Sequence, residues 1–224
     1  YGSYEIIDGI GNSPIGRYQK DALVLRGEDE LAMYAFKNNH IFHVSACNHL
    51  INLDFLRQSD VRFIDASYWE DMVYTTELVT KIESAVLLPD ITYHYLRRQD
   101  SLSHYQGRVI YEKSEILKNA FVLKRLKNSC IGLRSKSYLP YLCYNLEVDS
   151  FYMVCHIIQK KDRIVPKVTN REMRMILQHP MTLKDILKFQ ERIVPNLFFG
   201  LIGHLPIFMF IPFIQLIDKL KKAI

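Results

Sequence analysis

Several signatures that would reveal a function at sight are missing from this chain. No two of the four cysteines, Cys47, Cys130, Cys143 and Cys155, are spaced C-x-x-C. That excludes zinc-finger spacing and a dense disulfide framework, and a reducing, cytosolic setting is the simplest reading. The loop "GIGNSPIG" lacks both the Gly-x-Gly-x-x-Gly spacing and the Gly-Lys-Ser/Thr ending of phosphate-binding loops, so its glycines are read as turn-formers. No Gly-x-Ser-x-Gly is present to activate a serine nucleophile. No internal repeat, low-complexity tract or N-terminal signal peptide is visible. His40 and His43, three apart, and His94 on a strand have no carboxylate spacing beside them that suggests a metal, and read as structural.

What is present is a globular composition. The 224 residues are 49% hydrophobic and 24% charged, enough for one large domain or a domain with an appendage. The formal net charge of +5 suits anionic partners, such as nucleotide phosphates or a lipid surface, without choosing among them. The basic run between Lys113 and Lys136 has only Phe121 as an interleaved aromatic, so it reads as a solvated helix face and no nucleic-acid partner is expected.

The pattern alternates short strands and helices. Tyr1 to Asp8, Val61 to Ile64, Ala85 to Leu88 and Ile91 to Arg97 read as strands, and Gly9 to Gly16 as a loop. Helices are expected over Asp29–Asn38, partly over Asn48–Gln58, and over Arg108–Lys127 with Ile110, Ile116, Leu117, Ala120 and Leu123 inward. After about Ser137 the chain turns apolar and helical: Tyr138–Gln159, Arg171–Gln178 and Leu183–Gln190. The expected division is therefore 1–136 and 137–224.

One stretch raises a chemical question: "SYWEDMVYTTELVTKI", Ser67 to Ile82. Adjacent acids, Glu70 and Asp71, stand behind Tyr68 and Trp69 and open an amphipathic run. Acids belong in a helix's first turn, where N–H groups carry partial positive charge. Ser67 with Glu70 three residues on reads as a capping box. The alternative is that one acid does chemistry.

The order of motifs bears on that alternative. "NHLINLDFLRQSDVRF" precedes "YWEDMVYTTELVTKI", and "ESAVLLPDITYHYLRRQDSLSH" follows. This series resembles the second half of bacterial family 2 glycosyltransferases of the GT-A fold. Those enzymes show an Asn-Lys-Leu-like segment ending in Phe-Leu, an aromatic–Glu–Asp helix opening, and a Tyr-x-Tyr-Arg strand with a loop ending in serine. The matching positions are Asn48, His49 and Leu50; Phe55 and Leu56; Trp69, Glu70 and Asp71; Tyr93, Tyr95, Arg97 and Arg98; Ser101 and Ser103, within about Leu31 to His104. His49 stands where lysine is usual, and the family's metal-binding Asp-x-Asp motif occurs nowhere.

The resemblance implies an α/β chain: a partial, Rossmann-like GT-A half over 1–136 and a mainly helical, apolar extension over 137–224. It implies transfer, with inversion, from a nucleotide-sugar donor to a surface polysaccharide or glycolipid acceptor. Asp71 would be the base, Glu70 would orient acceptor or base, and Trp69 would be a wall against a sugar ring. Arg97, Arg98, Ser101 and Ser103 would bind the substrate's diphosphate, and His104 is a candidate ligand for a divalent metal, Mg or Mn. The main metal ligands would lie in a preceding nucleotide-binding half outside this chain, so the chain alone is expected to be inactive.

The segment "LFFGLIGHLPIFMFIPFIQLI" is long enough to span a bilayer, but Pro206 and Pro212 favour breaks. Two short apolar helices lying in the membrane interface fit better, with Phe198, Phe199, Phe208, Phe210 and Phe213 in contact and Lys219, Lys221 and Lys222 as a basic edge. A transmembrane span and packing against protein remain open. The expected location is cytoplasmic and peripheral, at the inner face of the bacterial membrane. The rival to the enzyme is a non-catalytic, membrane-associated binding module.

Overall fold

The computed structural model describes residues 1–39, 42, 45–66, 69–98 and 109–222. The chain is mixed α/β and divides into two compact units, Tyr1–Arg108 and Val109–Ile224. The division falls well before residue 136, because the helix over Lys113–Ser129 packs within the second unit.

The first unit is built on β1 (Ser3–Asp8), β2 (Pro14–Tyr18), β3 (Leu23–Arg26), β4 (Ser84–Leu87) and β5 (Ile91–Arg97), with α1 (Glu30–Lys37), α2 (Leu53–Ser59) and α3 (Glu70–Val79). β1 is the middle strand of a β2-β1-β5 sheet, antiparallel to β2 and parallel to β5. β3 and β4 form a separate antiparallel pair. Strand alternation divides the larger sheet by face. Tyr4, Ile6, Tyr18, Tyr93 and Tyr95 line a cavity on one side. On the other, Glu5 pairs with Arg17 and lies 3.6 Å from the His94 ring.

Three local expectations are corrected here. Pro14 and Gly16 belong to β2, so the turn is confined to Gly9–Ser13, where Asn12 N–H donates to Asp8 O at 2.9 Å. Val61–Ile64 is not a strand: among the described residues it has no ladder partner, and Phe63 stacks on Tyr74 with ring centroids 4.2 Å apart. α3 starts at Glu70, so Glu70 is its first residue and cannot be the third-position partner of a capping box from Ser67. Ser67 and Tyr68 lie outside the described residues, as do His40 and His43.

The second unit is helical around α5 (Leu139–Gln159), which follows α4 (Lys113–Ser129) and a short 3₁₀ turn at Cys130–Leu133. β6 (Tyr111–Glu112) pairs in parallel with β7 (Ile164–Val165). The expected helix from Arg108 therefore begins later. Tyr111 is buried in that pairing, while Ile110 is exposed rather than in the core. α6 (Asn170–Ile176) opens with a capping box in which Thr169 N–H donates to Glu172 Oε2 at 2.8 Å and Glu172 N–H to Thr169 Oγ1 at 3.2 Å. α7 (Leu183–Ile186) is capped by Thr182.

A buried ion pair ties this unit together. Lys127 Nζ lies 2.7 Å from Glu147 Oε1 and donates to the carbonyls of Ile176 at 2.7 Å and Gln178 at 3.2 Å. α4, α5 and the end of α6 thus share one ammonium. Burial raises the Glu147 carboxyl to about 7, against the pull of Lys127, and lowers the Lys127 pKa. Asp149, also raised by burial, sits at about 6.

The C-terminal segment folds as α8 (Ile193–Ile202) and α9 (Ile207–Lys222), broken at Pro206. Pro212 does not break α9. It is the sixth residue of the helix and exposed, and having no N–H it leaves the carbonyl of Phe208 without its helical donor. Among the described residues no helix is long and apolar enough to cross a membrane. Phe199 and Phe210 belong to the packed interior: Phe199 meets Phe151 and Phe198, and the Arg174 guanidinium lies 5.4 Å from the Phe210 ring. Neither is available for membrane contact. Phe198 and Phe208 are exposed and Phe213 half-buried, and Lys219 faces outward. The side chains of Lys221 and Lys222 fall outside what is described.

Candidate active site: a tyrosine-floored cavity beside the α3 N-terminus

The cavity of about 410 Å³ lies within the first unit. Its floor is the tyrosine-bearing face of the β2-β1-β5 sheet, and its walls include Phe42, the 45–49 loop and the start of α3. Tyr4 and Tyr18, opposite each other on β1 and β2, stack with centroids 4.7 Å apart. Tyr93 and Tyr95, two apart on β5, continue the row. Tyr93 has a raised pKa, first through a hydrogen bond with Cys47 and then through burial.

Asn48 holds the loop in place. Its Nδ2 donates to Gly2 O at 2.6 Å and to Ser3 O at 3.2 Å, and its Oδ1 accepts from Thr92 Oγ1 at 2.5 Å. Asn48 itself is left-handed, with φ 70°, a conformation asparagine tolerates better than most residues. His49 then lines the cavity and Leu50 points into solvent, 97% exposed. Burial, with the α-amino group adding to it, lowers the His49 pKa. Asn48→Gly keeps the backbone and loses the bracket; Asn48→Ala loses both. Urea unfolding should show Asn48→Ala less stable than Asn48→Gly by about 1 kcal/mol, since a left-handed L-residue costs roughly that much. Equal stabilities would contradict the left-handed backbone at this position.

At the α3 start, Trp69 is the N-cap residue with φ 62°, a strained conformation for a bulky side chain. Trp69 and Asp71 both line the cavity. Asp71 is half-buried in the first turn of α3. Burial raises its pKa and the neighbouring Glu70 charge adds to the rise, while hydrogen bonds from the backbone N–H groups of Met72 and Asp71 oppose it. Glu70 is half-buried and is not among the lining residues.

The sheet also places the second expected cluster. Arg97 ends β5 opposite Asp8, and its carbonyl accepts from Gly9 N–H at 3.0 Å. Arg97 and Arg98 are exposed and do not line the cavity. Ser101, Ser103 and His104 lie outside the described residues. Among the described residues no group of three His, Cys, Asp or Glu side chains is placed to hold a metal ion. The sequence reading overlooked Lys20, Tyr4 and Tyr18. Tyr4 stood on an expected strand, whereas Tyr18 lies on β2, whose first residues read as loop, and Lys20 carried no signal.

Compared with family models, curated proteins and solved structures, the chain matches none of them.

Proposed function

We propose that the first unit is the acceptor-side half of an inverting, GT-A-type glycosyltransferase acting with a nucleotide-sugar donor on a surface polysaccharide or glycolipid. The observation that carries the reading is the half-buried Asp71 carboxylate on the wall of an aromatic cavity large enough for a sugar. In the transfer, an acceptor hydroxyl attacks the anomeric carbon as the bond to the nucleotide diphosphate breaks, and the hydroxyl proton passes to Asp71. Efficient bases need a carboxylate held within hydrogen-bond reach, with its pKa drawn upward toward the working pH. The first turn of α3 supplies the fixed position and partial burial supplies the shift. Tyrosine and tryptophan faces suit the apolar C–H faces of a pyranose ring.

The divalent metal implied by the resemblance has no ligand set among the described residues, and no step is assigned to it. The donor half would belong to a longer protein. The test is a transfer assay on that full-length protein with a panel of nucleotide sugars and glycan acceptors. Release of nucleotide diphosphate that depends on the acceptor supports the reading, and its absence across the panel overturns it.

The peripheral membrane location is proposed on the exposed apolar side chains of α8 and α9. α8 exposes Val194, Phe198 and Leu201 along one face, and α9 exposes Phe208, Met209 and Leu216 before Lys219. At 1.5 Å per residue the helices are about 15 and 24 Å long, short of a bilayer's core of about 30 Å but suited to lying in the interface. The full chain should float with vesicles containing phosphatidylserine, and Phe208→Asp should lower the bound fraction at least threefold. Equal flotation of the two proteins would remove the membrane from the account.

A further inference from the structure

The cavity wall carries a charge that proton transfer to Asp71 does not use. Lys20 follows β2, and its backbone N–H donates to Ser3 Oγ at 2.8 Å, fixing where the side chain leaves the chain. Only 5% of the residue is exposed, yet it lines the cavity. Its Nζ stands 6.0 Å from the Tyr4 ring centroid and 5.9 Å from that of Phe42. Among the described residues the structure gives this ammonium no carboxylate partner. Glu5, the acid of β1, is on the opposite sheet face with Arg17 and His94. Aromatic faces offset only part of the cost of burying an ammonium. The cost shows in a pKa drawn down by burial alone. An anion entering the cavity would supply the missing partner in a setting where charge-assisted hydrogen bonds are strong.

We propose that the cavity selects an anionic pyranose, an acceptor sugar bearing a carboxylate or a phosphate, with Lys20 holding the anion and the tyrosine floor holding the ring. That this sugar is the acceptor rests on the transferase reading; the binding itself does not. Trp69, the sole tryptophan of the chain, lines the same cavity, so its fluorescence reports occupancy. The full chain is titrated with methyl glucoside, methyl glucuronide, glucose phosphate and uridine diphosphate.

The acidic sugars bind at least tenfold tighter than methyl glucoside. Lys20→Gln brings them to the level of the neutral sugar, and Lys20→Arg keeps most of the preference. Whether the acid is carboxylate or phosphate follows from which of the two acidic sugars binds tighter. Equal affinity of wild-type protein for neutral and acidic sugars overturns the proposal, and this comparison needs no variant to fold. So does a preference that survives Lys20→Gln, or uridine diphosphate displacing the acidic sugars with higher affinity, which would give the cation to the donor. If the preference is absent while Asp71-dependent transfer persists, this inference alone fails. If acid-selective binding is present in a protein that never transfers a sugar, the inference stands and the transferase reading fails.

Discussion

On the proposed transferase reading, Asp71→Asn in a protein that also carries the donor half should lower kcat about a thousandfold and leave KM within a few-fold of wild type. A positioned general base contributes roughly 10² to 10⁴ in rate, and asparagine keeps the shape of the side chain while losing the proton acceptor. The backbone N–H groups of Met72 and Asp71 that hydrogen-bond the carboxylate can still meet the amide oxygen, so the start of α3 should survive. A drop in kcat without a matching rise in KM marks an interaction made in the transition state. Asp71→Glu should retain more activity than Asp71→Asn while shifting the reactive oxygen, and Glu70→Gln should cost less than Asp71→Asn because Glu70 does not line the cavity. Turnover within tenfold of wild type in Asp71→Asn would remove the base. Melting temperatures alongside would separate lost chemistry from lost fold.

Lys127→Met should be the most destabilising of the substitutions considered, at about 3–5 kcal/mol near pH 8. Removing one member of a buried pair leaves the other charge without compensation. Glu147 is fully buried on α5, and the carbonyls of Ile176 and Gln178 lose their donor at the same time. The pH dependence has a definite sign. Burial already holds the Glu147 carboxyl above its ordinary value, and removing Lys127 takes away the group that opposes the rise. Well below pH 4.5, the ordinary glutamate value, the carboxyl is neutral in folded and unfolded chains alike, so the ionic penalty vanishes and only the lost hydrogen bonds remain, about 1–2 kcal/mol. As pH rises from there, the folded variant must either keep a proton that the unfolded chain releases or bury a charge, and the penalty grows. Urea unfolding at several pH values checks this. Replacing both partners, Lys127→Met with Glu147→Leu, should recover most of the loss because an apolar pair leaves no uncompensated charge. A pH-independent effect of Lys127→Met would contradict the ion-pair role.

These two sites differ in how far the sequence discloses them. Trp69-Glu70-Asp71 could be read directly, because acids at a helix start follow from the dipole whatever the tertiary setting. The capping box assigned to Ser67 was a different matter: the helix starts two residues later than that reading required, with Trp69 in a left-handed conformation that no local rule proposes for tryptophan. The tyrosines of β5 were legible through strand alternation, while their union with Tyr4 and Tyr18 depends on β1 lying between β2 and β5, a pairing of segments far apart in the chain. Lys20 is the extreme case, since its setting depends on rings from β1 and from Phe42. In the second unit, the capping box of Thr169 and Glu172 was present in the letters, whereas Lys127 looked like one more residue of a solvated basic face. Only the packing of α4 on α5 and the end of α6 turns it inward. Phe199 and Phe210 illustrate the same limit in reverse. An apolar run shows that residues seek cover, but not whether lipid or the protein's own core provides it.

Whether the Asp71 carboxyl faces a cavity that a sugar occupies can be read from a carbon-detected NMR titration of that carboxyl. The midpoint should lie above the ordinary aspartate value in the free chain and move further when a glycan fills the cavity and displaces water from the carboxylate, with Trp69 fluorescence changing at the same glycan concentration. A midpoint at the ordinary value, unmoved by every glycan that alters Trp69, would contradict it.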